Sequence, residues 1–163
     1  MKGDRNKIHK ELISLWEEQN TKDLRVEQLI QLYTNAFDAL INRSLPTLSS
    51  ITVKVVLDRV LHEGSAEYPF FSQITLEPRG LSLKALIQKN TTIKIDELKE
   101  GLSYLLVEVL TVIGSITSDV LTDSLHKAIM QINRENALNV KEVQNLREVN
   151  DPKISLAKKR GER

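Results

Sequence analysis

Apolar side chains return every three or four residues along most of this chain, which is the signature of helices with one buried face. Ile8, Leu12, Ile13, Leu15 and Trp16 share a stripe opposite Lys10, Glu11, Glu17 and Glu18, predicting a first helix over about 6–19. Leu29, Ile30, Leu32, Tyr33, Phe37, Leu40 and Ile41 keep the same rhythm and predict a second. The cluster Asn20-Thr21-Lys22-Asp23 offers N-cap side chains for it. It stops before Pro46, because proline disfavours helical geometry in the residue ahead of it. Val53, Val56, Leu57, Val60 and Leu61 predict a third helix over 51–62, capped by Ser49 or Ser50 and closed by Gly64. The β-branched run Ile51 to Val55 also alternates, so a strand is the alternative there.

Residues 65–80 carry Pro69 and Pro78 and no sustained period, which marks an irregular connection. Ser82 then caps a short helix through Leu83, Leu86 and Ile87. A long helix follows from about 95, where Asp96, Glu97 and Glu100 complement the positive end of its dipole. Its stripe, Leu98, Leu102, Leu105, Leu106, Val109, Ile113, Ile116 and Val120, is widened by Leu110 and Val112 to nearly all faces. Gly114 suits close packing, and Thr122-Asp123 restarts the helix toward Asn133. The fold class is therefore all-α: a bundle of about five helices with a long central C-terminal helix and one irregular connection at 65–80.

Composition changes past Arg134, with no aromatic residue among the last 29. Residues 1–134 are expected to form the bundle, and 135–163 a flexible charged tail, partly helical through Val140, Val143, Leu146 and Val149. The tip is basic, with Lys158, Lys159, Arg160 and Arg163. Over the whole chain, however, 23 Lys and Arg stand against 22 Asp and Glu, and 40% of residues are hydrophobic. That balance argues against a disordered polyelectrolyte and against a nucleic-acid binder. Absence of cysteine removes disulfide scaffolds, thiol catalysis and Cys-ligated zinc. The start is charged and lacks an apolar run, and the least charged stretch, Gly101 to Ser118, contains Glu108 and five Ser and Thr residues. Neither a secretory signal nor a membrane span is expected, which suggests a cytoplasmic location.

Catalytic and cofactor motifs are missing. The six glycines stand singly, at 3, 64, 80, 101, 114 and 161, so no phosphate-cradling loop can form, and neither G-x-S-x-G nor H-E-x-x-H occurs. Of the three histidines, His9 belongs to a charged, fraying start, leaving His62 and His126 for acid-base or metal work. Helical spacing sets Asp58 with His62, and Asp119 and Asp123 with His126, on single faces as two metal half-sites. The same residues form the ordinary polar faces of amphipathic helices, so no metal and no cofactor is expected. His62-Glu63 resembles the His-acid pair of histidine-kinase phosphoacceptor helices over two residues only, and Gly64 follows at once.

Two features are singled out. Glu108 is the one charge in the most apolar part of the long helix and is the candidate buried polar group. Tyr68, Phe70 and Phe71, three of the seven aromatic residues, lie in the irregular connection and are candidates for partner or ligand contact, with a core plug as the bland reading. The organisation is similar in outline to helical sensor and dimerisation domains of bacterial signalling proteins. That likeness is one of architecture and implies a non-enzymatic regulatory or interaction module, with a protein partner or a second copy as homodimer. The alternative is a small apolar ligand held under the 65–80 segment and gated by the three rings.

Overall fold

A computed structural model of the chain describes residues 2–78, 80–88 and 93–137. Six α-helices carry the fold: α1 (Lys2–Asn20), α2 (Val26–Ser44), α3 (Ser50–Gly64), α4 (Lys84–Gln88), α5 (Ile95–Ile116) and α6 (Thr122–Met130). The all-α expectation holds, and the segment 51–62 is helix. Ser49 caps α3 by accepting from the Thr52 amide at 3.1 Å.

The axis of the bundle is α5. Leu98, Leu102, Leu105, Leu106, Val109, Leu110 and Ile113 are all buried along it, and α1, α2, α3 and α6 pack around it. Only a narrow strip, including Tyr104 and Glu108, reaches its surface. Burial on most sides explains why its apolar stripe covers nearly the whole helix.

The connection at 65–80 is more regular than its sequence suggests. A 3₁₀ turn, Pro69–Gln73, leads into an antiparallel hairpin of β1 (Thr75–Glu77) and β2 (Gly80–Ser82), with Leu76 opposite Leu81. The hairpin lies against α2 and α3. Three residues per strand are too few for an alternation to stand out.

Three punctuation marks differ from expectation. Asn20 and Thr21 end α1 instead of starting α2: their side chains donate to the carbonyls of Trp16 and Glu17 at 2.8 Å. The start of α2 is closed by Gln28, whose Oε1 accepts from the Arg25 amide at 3.0 Å. Gly64 lies inside α3 and is there for space, since a Cβ would sit 2.5 Å from the Phe71 ring and 2.8 Å from that of Tyr104. Finally, α5 stops at Ile116 in a Schellman closure. The Asp119 amide donates to the Gly114 carbonyl at 2.8 Å, and Ser118 and Asp119 are left-handed at φ 50° and 63°.

Past α6 the chain turns back onto α1. Trp16 Nε1 donates to the Ile132 carbonyl at 2.7 Å, the Arg134 amide donates to Asn20 Oδ1 at 3.0 Å, and Ala137 is buried. Residues 138–163, which include most of the expected tail and its basic tip, lie outside the described residues.

Candidate functional site

The polar groups that the fold gathers are held by α1, and two clefts flank that helix. The first lies between α1, the 117–121 turn and α6. Its volume is about 470 Å³, and its lining includes Arg5, His9, Asp119, Thr122, Asp123 and His126. Arg5 grips Asp119 with two parallel bonds, Nε to Oδ1 at 2.8 Å and Nη2 to Oδ2 at 2.9 Å, and Thr122 donates to the same carboxylate at 3.1 Å. The guanidinium holds the Asp119 carboxyl below the usual carboxylate range.

At the back of this cleft the rings of His9 and His126 meet edge to face, with His9 Nδ1 and His126 Nε2 2.8 Å apart. His9 is 1% exposed, and its other ring nitrogen, Nε2, is buried without a hydrogen-bond partner among the described residues. Burial, reinforced by the neighbouring His126, pushes the His9 pKa down to about 4. Burial also lowers that of His126, against the attraction of Asp123. At neutral pH both rings are therefore uncharged, and one N–H is shared between them.

The second cleft, about 450 Å³, opens on the other flank and is lined by Lys10, Glu67, Tyr68, Glu100, Tyr104 and Glu108 among others. The Tyr68 hydroxyl donates to Glu100 at 3.1 Å, and the ring centroids of Tyr68 and Tyr104 are 5.4 Å apart. Burial, then Glu100, pushes the Tyr68 hydroxyl up to about 12. Beneath the seam of α1 and α5, Glu17 accepts from Tyr33 and, at 3.2 Å, from Ser103. Burial raises its pKa.

Several expected groupings change. His9 is a core residue and not part of a frayed end, because α1 is helical from Lys2 and docks along α5 and α6. Asp119, Asp123 and His126 do share one cleft, yet the turn after α5 brings them together instead of a continuous helix. Asp58 and His62 are exposed on α3 and do not line it. Among the described residues no group of three or more His, Asp or Glu side chains is placed to hold a metal.

Tyr68, Phe70 and Phe71 are 6%, 4% and 2% exposed, and they fill the space over Gly64 and Gly101. Of the three, Tyr68 also lines the second cleft. Glu108 is half-buried and accepts from Asn6 Nδ2 at 3.2 Å. The more enclosed carboxylate is Glu17, which looked like a surface residue of the first helix; no local signal marks it, since Tyr33 and Ser103 come from two other helices. His9 had one available clue, its place one residue after Ile8 and three before Leu12.

No family model matches the chain, and neither a curated protein nor a solved structure does. Among the described residues no helix is long and apolar enough to cross a membrane.

Proposed function

We propose that the chain is a non-enzymatic interaction module of the regulatory kind and that it associates with a second copy of itself. What supports this reading is the outer face of α3. Ile51 and Val55, one helical turn apart, are 75% and 61% exposed although the core beneath them is complete. Two β-branched side chains in water on the N-terminal part of one helix face gain apolar burial only from another molecule. The same face carries Lys54 and Asp58, one turn apart and both exposed, so an antiparallel copy of α3 brings opposite charges together across the pair. The bonded carboxylates, by contrast, are matched to donors of the same chain, which supports a structural use of those groups.

Light scattering across a concentration series tests the reading. The unmodified chain is expected to give a mass near twice 18.5 kDa at high concentration, and Ile51→Glu with Val55→Glu a monomer whose far-UV ellipticity shows that it is still folded. A monomer at every concentration for the unmodified chain rejects self-association through α3.

A further inference from the structure

We infer that the His9–His126 pair is an acid-released latch: α1 stays docked on α6 while at least one of the two rings is neutral, and it comes away when both take up a proton. The inference does not depend on the self-association proposed above.

The argument begins with the bridge itself. Nδ1 of His9 and Nε2 of His126 are 2.8 Å apart, a distance that requires one nitrogen to donate and the other to accept. A single added proton is tolerated, because an imidazolium still donates to a neutral ring. With two, each ring carries N–H at both nitrogens, and neither offers a lone pair. Two like charges then face each other at contact distance, and His9 Nε2, enclosed and unpartnered, has nothing to receive its own N–H.

The surroundings relieve this only in part: Asp119 attracts a proton toward His9 and Asp123 toward His126, and for both rings burial outweighs the attraction. From α1 the charged groups facing the pair are Asp4 and Arg5, from the turn Asp119, and from α6 Asp123. Arg5 and Asp119 are occupied with one another, and Asp123 pairs with Lys127 at 3.2 Å on the surface. From α5, Glu108 is engaged by Asn6. Among the described residues neither ring is bonded to a carboxylate. A histidine released into water takes a proton near its ordinary value of about 6.5, whereas docked His9 does so only at about 4, so acid between those limits favours the undocked helix. Release uncovers the apolar face of α5 that Ile13 and Trp16 cover.

The single tryptophan reports the event, since Trp16 is wholly buried on α1 and bonded to Ile132 just beyond α6. Fluorescence of the full chain is followed from about pH 7.5 to about pH 4.5, with far-UV ellipticity in parallel. A red shift is expected with a midpoint between the two histidine values, while most of the helical ellipticity remains. The double variant His9→Asn with His126→Gln keeps a hydrogen-bonding atom near each bridging position without a titratable ring, and it is expected to show no red shift over this range. The inference fails if the emission of the unmodified chain does not move, if the variant shifts at the same pH, or if ellipticity is lost together with the emission change. Should the variant not fold at neutral pH, the ring-proton titration of the unmodified chain by NMR decides: His9 protonating well below its ordinary range supports the latch, and His9 protonating near it overturns the latch.

Discussion

At Gly64 and Gly101 the missing side chain is itself the structural contribution, because aromatic rings occupy the volume a Cβ would need. A methyl group at Gly101 would lie 2.5 Å from the Phe70 ring, and one at Gly64 as close to Phe71. Alanine at either position is expected to cost about 1–3 kcal/mol through overpacking, despite its better helix propensity, and urea denaturation measures the loss. The tyrosines give a second test. Tyr33 is wholly enclosed and bonded to Glu17, which keeps its hydroxyl protonated far above the usual range, and that of Tyr68 is pushed up to about 12. The unfolded chain releases these protons near pH 10, so above that point the folded state binds more protons and stability falls as pH rises. A Tyr33→Phe variant is expected to lose part of this alkaline dependence, read from denaturation midpoints between about pH 9 and about pH 11.

At the scale of elements, the long helices were legible because each buries one face, and burial imposes the three-four spacing on Leu29 to Ile41 and on Leu98 to Ile113. Much of the hairpin and the polar clusters was not. Strands of three residues leave no pattern, and Glu17, Tyr33 and Ser103 meet only because α1, α2 and α5 pack. Tyr68, Phe70 and Phe71 lie in an apolar loop that has to be covered somewhere, and the cover is the chain's own core. Since α5 is the axis, Leu106→Ala or Ile113→Ala is expected to cost about 2–5 kcal/mol in chemical denaturation. The end of that helix invites the opposite result. Ser118 holds the left-handed position of a Schellman closure, where glycine is free of the Cβ penalty, and its side chain is exposed. Ser118→Gly is expected to raise stability by about 0.5–1 kcal/mol, with thermal denaturation as the measurement.

For the whole molecule, closure depends on the strand of chain after α6. It gives α1 the Ile132 carbonyl, places the Arg134 guanidinium 2.7 Å from the Lys22 carbonyl, and buries Ala137. A chain ending at Gln131 is therefore expected to melt lower than one ending at Ala137, by several degrees on a calorimeter, because it leaves the Trp16 indole N–H without its acceptor. The polar partners of α1 outside its own neighbourhood also set the order of events during synthesis. Arg5 waits for Asp119, 114 positions downstream, and His9 waits for His126, 117 positions downstream. At ribosomal speeds of about 5–20 residues per second, that wait is on the order of ten seconds. Through most of it α5, the main surface on which α1 packs, has not yet been made, and the apolar stripe of α1 is open to whatever holds unfinished chains.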